Sequence, residues 1–236
     1  MSRIYSQSFF HYTKDVETLL SIIENGFYAS YANEQFKDNS GKLNHLYIPM
    51  ISFCDIPLIH FHSITYGKYG IGVSRSWGNG KLAPVMYYPL NKKNMTTKFC
   101  ADTYDAYIKD RKKHKELLGY IKPYKKYNER GYAVGRRRDN YIEREWRKIW
   151  LGNWLHSDGE YQNYIEAHGS KVVQKFQNKF KQSDVTFLIV DTENEKNLLI
   201  TDILKLKTIG GYHCDKEMKL ELVSKIVSLE SINKNF

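Results

Sequence analysis

The chain reads as α+β, and three kinds of pattern carry that reading. Val16, Leu19, Leu20 and Ile23 fall at i, i+3, i+4 and i+7, the spacing that lines one face of a helix. Residues 50–54 and 185–190 are short apolar runs of strand length, bounded by turn and polar residues. At the C-terminal end, Met218, Leu222, Val223, Ile226 and Leu229 give residues 216–231 the pattern of a closing amphipathic helix.

Taken in order, Phe9 and Phe10 lead into an extended segment that ends at His11, Tyr12 and Thr13 and feeds the helix at 15–25. Thr13 or Asp15 can cap that helix by accepting from its first free amides, and Gly26 can end it. Polar groups at a strand end just before a helix are well placed to hold a ligand. The other reading of His11 and Tyr12 is a satisfied core residue at a strand end. Residues 28–46 are polar, with Asn39, Ser40 and Gly41 as a turn signal, and read as a loop.

Pro49 introduces the buried strand at 50–54, in which Ser52 is a lone small polar residue. A short helix is expected at 58–66. His60 and His62, two apart, would diverge on it, so they do not form a metal pair. Gly67, Gly70 and Gly72 allow close backbone approach around Lys68 and Tyr69, and the end of that stretch reads as a strand. It lacks the Lys-Ser/Thr terminus of a phosphate loop. Residues 77–80 form a turn and 84–89 a strand bracketed by prolines.

A mostly polar helix is expected at 101–118, running into the most basic part of the chain. Between Lys109 and Arg138 stand twelve lysines and arginines against three acids, so nearly all of the formal net charge of +10 is concentrated there. Tyr120, Tyr124, Tyr127 and Tyr132 interleave with these cations. Cations attract phosphates and aromatic faces stack on bases, so Lys112, Lys113, Lys125, Lys126, Arg136, Arg137 and Arg138 are candidate contacts for RNA or single-stranded DNA. A solvated basic insertion without a specific partner explains the same residues. The three consecutive arginines also suit a pyrophosphate.

Residues 141–150 read with period two, placing Glu143, Glu145 and Arg147 on one face and Arg144 on the other. Two carboxylates sharing a buried face need an arginine or a ligand to offset them, and an edge strand with a surface ion-pair ladder is the alternative. Residues 185–190 are a strand, and the apolar 198–206 reads as another.

The 236 residues, 42% hydrophobic and 14% aromatic, are enough for a buried core, and they read as one domain, 1–236, with a basic helical insertion at about 101–138. Cys54, Cys100 and Cys214 have neither zinc-site nor disulfide-framework spacing, so no metal is expected and a cytoplasmic location fits. No apolar run approaches a membrane span.

His-Tyr-Thr with its helix and glycine, the string Ile51-Ser52-Phe53-Cys54-Asp55-Ile56-Pro57-Leu58, the stretch Tyr66-Gly67-Lys68-Tyr69-Gly70-Ile71-Gly72, the Pro84-Val85 strand and Glu143-Arg144-Glu145-Trp146-Arg147 together resemble the AbiGi family of bacterial abortive phage resistance. More distantly, the opening resembles toxin ADP-ribosyltransferases that act on nucleic acid. That second resemblance implies a split mixed β-sheet with flanking helices and NAD as ADP-ribose donor. It implies that His11 and Thr13, with Tyr12 between them, hold the adenosine ribose and nicotinamide amide, and that Ser52 and Tyr69 line the nicotinamide side. Glu145 would be the catalytic glutamate, with Glu143 as the fallback or acceptor-orienting partner. A carboxylate beside the ribose stabilises the oxocarbenium-like charge as the nicotinamide bond breaks. The chain is thus expected to be an NAD-dependent ADP-ribosyltransferase toxin acting on RNA or single-stranded DNA, with an antitoxin protein as partner. The alternative is a non-enzymatic antitoxin or nucleic-acid-binding module on a degenerate transferase fold.

Overall fold

The computed structural model describes residues 6–58, 67–90, 93–125 and 140–235. In chain order its elements are β1 (Ser8–Thr13), α1 (Val16–Asn25), β2 (Phe27–Lys37), β3 (Leu43–Cys54), β4 (Tyr69–Ser74), α2 (Arg75–Gly78), β5 (Ala83–Pro84), β6 (Met86–Tyr88), α3 (Met95–Lys109), α4 (Lys115–Leu118), β7 (Ile121–Pro123), β8 (Glu145–Ile149), α5 (Asp158–His168), β9 (Val172–Asn178), β10 (Val185–Val190), α6 (Glu193–Lys205), β11 (Thr208–Ile209), β12 (Tyr212–His213), α7 (Lys216–Val223), β13 (Ile226–Ser228) and α8 (Leu229–Asn235). The α+β class is as expected. Two compact units emerge: Met1–Tyr28, Ser52–Leu82 and Gln177–Phe236 form one, Ala29–Ile51 and Ala83–Phe176 the other.

In the first unit a mixed sheet runs β13, β10, β4, β1. β13 lies parallel to β10, while β10 and β1 are both antiparallel to β4. The glycines singled out in the sequence have a packing reason here. Phe10 stands opposite Gly72 and Tyr12 opposite Gly70. A Cβ on Gly72 would lie 2.8 Å from the Phe10 ring, and one on Gly70 2.7 Å from the Tyr12 ring. Helix α1 starts where the Asp15 carboxylate accepts from the Thr18 amide at 2.7 Å, and it buries Leu19 and Ile23. Gly26 ends it with φ of 87°, its N–H donating to the Ile22 carbonyl at 2.8 Å.

Two expectations for this unit are corrected. Residues 198–205 are helix, because Thr192 and Glu195 cap each other reciprocally and start α6 upstream, leaving Leu199 and Ile203 one turn apart and buried. The closing helix is broken after Val223. Residues 226–228 pair in parallel with β10 instead, burying Ile226 and Ser228 with the period of a strand. The helix expected at 58–66 lies outside the described residues beyond Leu58.

In the second unit the segment read as a loop is a long antiparallel hairpin, β2 with β3, in register from Ser30 opposite Met50 to Lys37 opposite Leu43. Its turn closes through Asp38 and Lys42. Polar residues hid the strand because the buried positions 27, 29 and 31 give way to 34 and 36, so the alternation slips by one and one inward residue is a glutamate. Phe36, Leu46, Ile48 and Met50 pack with Tyr88, Tyr104, Tyr107, Leu118 and Trp154 in the core of this unit. A second cluster joins Tyr31 and Tyr47 to Tyr161 and Tyr164 of α5, with the Tyr47 and Tyr161 rings stacked at 4.1 Å. The helix expected at 101–118 begins earlier, at an Asn94 cap, and is interrupted between Lys109 and Lys115.

Candidate functional site

The sequence candidates fall into three places, beginning with the strand-to-helix junction of the first unit. His11 Nδ1 lies 2.7 Å from the Ser52 carbonyl oxygen, and its ring packs on Phe27 and Phe53 at 5.5 and 5.6 Å. Those rings continue to Trp77 and Phe180, so His11 borders an aromatic cluster. The Thr13 hydroxyl donates to the Asp15 carbonyl at 3.0 Å, leaving the capping of α1 to the Asp15 carboxylate. Tyr12 is half-buried, and burial followed by the nearby Cys54 pushes its hydroxyl well above the usual tyrosine range. The Tyr69 hydroxyl donates to Glu195 at 2.5 Å, and this bond, before burial, raises it to about 12. His11, Tyr12, Thr13, Ser52 and Tyr69 are thus in one unit, and Glu143 and Glu145 are in the other.

The second place centres on Arg147, whose side chain is fully buried. Its Nε donates to Glu145 Oε1 at 2.6 Å, while Nη2 donates to Glu145 Oε2 at 3.0 Å and to Glu34 Oε1 at 2.7 Å. Nη1 reaches the Gly119 carbonyl at 3.1 Å. Lys122 Nζ adds contacts to Glu145 Oε2 at 2.8 Å and Glu143 Oε2 at 3.3 Å. The backbone makes this possible by an unusual turn. Glu143 closes a 3₁₀ turn from Asn140, Arg144 takes φ of +41°, and only then does β8 begin. Glu145 and Arg147 then alternate inward, the period-two relation read in the sequence.

The electrostatics follow from burial. Burial alone drives the Glu145 carboxyl upward, but Arg147 and then Lys122 outweigh it and hold the group well below the usual range. Glu143 goes the other way. Burial, aided by Glu145 and Glu34 and opposed by Arg147, pushes it up to about 8. Arg147 thus bridges Glu34 and Glu145, and Lys122 reaches both Glu145 and Glu143. The period-two pattern set Arg147 on one face with the two glutamates, but it gave no sign of Glu34, hidden in a polar strand, or of Lys122, one of the twelve cations of the basic stretch.

The third place is the basic stretch. Lys112 and Lys113 are exposed on the turn between α3 and α4. Lys125 follows β7, and Lys126, Arg136, Arg137 and Arg138 lie outside the described residues, as do His60 and His62. Among the described residues no group of three or more His, Cys, Asp or Glu could hold a metal ion, and no helix is long and apolar enough to cross a membrane.

A family model described as "Putative abortive phage resistance protein AbiGi, antitoxin" matches residues 25–191. The chain belongs to this family. The matched span includes the hairpin bearing Glu34 and the whole cluster around Arg147. No curated protein and no solved structure matches the chain. The family corrects the expectation of an ADP-ribosyltransferase toxin: it is a family of antitoxins, in line with the non-enzymatic alternative. Glu145, 6% exposed, has both oxygens engaged, Oε1 by Arg147 and Oε2 by Arg147 and Lys122.

Proposed function

We propose that this chain is the neutralising component of an abortive phage resistance system and acts by binding a toxic protein partner. The observation that carries this reading is the match of residues 25–191 to an antitoxin family. The arrangement of the second unit supports it in physical terms. Its charged cluster is turned inward and hydrogen-bonded, which suits a scaffold that presents a fixed surface.

The test is a growth assay in bacteria carrying an inducible toxic component of the same system. Co-expression of this chain is expected to restore growth to that of cells without the toxin. Growth arrest that persists with the chain present at excess overturns the reading.

A further inference from the structure

The turn between α3 and α4 opens a groove of about 580 Å³ on the second unit, lined by Arg111, Lys112, His114 and Lys115, with Leu117 and Leu151 as its apolar part. One carboxylate, Glu116, is also on its wall. The cations are pre-arranged. The Arg111 guanidinium sits over the Tyr107 ring at 5.1 Å and donates from Nη1 to His156 Nδ1 at 3.0 Å. Accepting that bond requires the neutral ring, and burial, with Arg111 next, lowers the His156 pKa in agreement. Lys115 Nζ lies 4.9 Å over Trp154. His114 is held with φ of +57°, a conformation that costs a non-glycine residue energy.

On the antitoxin reading above, we infer that this groove receives an acidic segment of the partner protein, with carboxylates on Arg111, Lys112 and Lys115 and an apolar side chain against Leu117 and Leu151. The charge supplies steering and specificity, and the fixed Arg111 and Lys115 reduce the entropy lost on docking. The aromatic residues decide against a single-stranded nucleic acid. Its bases need exposed rings to stack on, whereas Tyr107 and Trp154 are buried beneath the cations and the remaining apolar lining is leucine.

The experiment measures binding of the purified toxic component, a synthetic glutamate–leucine peptide and a single-stranded thymidine oligonucleotide to the full chain, to Lys112→Glu, and to Lys112→Glu/Lys115→Gln. Melting curves confirm that each variant is folded. Lys112 is exposed, so its single variant keeps the test open should the double variant not fold. The expected result is that the toxic component and the peptide each lose about tenfold or more in affinity in the variants, and that wild-type binding weakens with salt. Partner binding unchanged in folded variants overturns the groove and leaves the antitoxin reading standing. Oligonucleotide binding that is tighter than peptide binding and is lost in the same variants overturns the choice of a protein ligand. A wild-type chain that binds no toxic component overturns the antitoxin reading and the groove together.

Discussion

Arg147 holds Glu145 through two parallel hydrogen bonds, at 2.6 and 3.0 Å, inside the protein. A charge pair buried this way is sustained by its partners rather than by water, so each member is costly to remove singly. Replacing Arg147 with methionine removes the guanidinium from Glu34 and leaves Glu145 with Lys122 alone, and a loss of about 3–5 kcal/mol is expected in urea unfolding. Adding Glu34→Gln and Glu145→Gln to that variant is expected to recover much of the loss. A single Arg147→Met variant within about 1 kcal/mol of wild type contradicts the buried ion pairs of Arg147.

Glu143 predicts a pH dependence of definite sign. Its folded pKa of about 8 lies above its ordinary value of 4.5. Between those values the folded chain binds a proton that the unfolded chain has released, so this group's contribution is full below 4.5 and is lost as pH rises through 8. Unfolding free energies from urea titrations across that window are expected to fall more steeply with pH in wild type than in Glu143→Gln, by an amount on the order of a few kcal/mol. Identical pH profiles for the two proteins contradict the assignment.

Arg144 carries φ of +41° at the entrance to β8. Glycine adopts that region without the Cβ penalty and a β-branched residue does so badly. Arg144→Gly is expected to change stability by about 1 kcal/mol or less, and Arg144→Val to cost about 1–3 kcal/mol more than that. Equal melting temperatures for the two variants contradict a strained turn.

The aromatic rings over the β4 glycines give a second packing test. A Cβ at Gly72 would lie 2.8 Å from Phe10 and 2.9 Å from the Thr186 hydroxyl. Gly72→Ala is expected to destabilise by about 1–3 kcal/mol, and Gly80→Ala, where nothing lies within 4 Å but φ is +81°, by less. The opposite order in thermal unfolding contradicts the close approach.

Strong periodicity was legible in the sequence and disguised periodicity was not. Leu19 and Ile23 announced α1 by their helical spacing, and the runs at 50–54 and 185–190, each broken by a single small polar residue, announced strands. The β2 strand escaped notice because its inward Glu34 looks like a surface residue until Arg147, distant in sequence, is placed against it. Ile226 and Leu229 fit a helix by spacing, and only pairing with β10 turns residues 226–228 into a strand. At the candidate site, the two glutamates and their arginine were visible as a short motif. Their partners Glu34 and Lys122 were not, because both are distant in sequence and meet the motif only in the folded chain.

The antitoxin account is tested most directly by mixing this purified chain with the purified toxic component of its system, in the absence of NAD, and measuring complex formation by light scattering alongside residual toxicity. The account predicts a stable complex and loss of toxicity that rises in proportion to the complex formed. Loss of toxicity without a complex, or no loss at saturating chain, contradicts it.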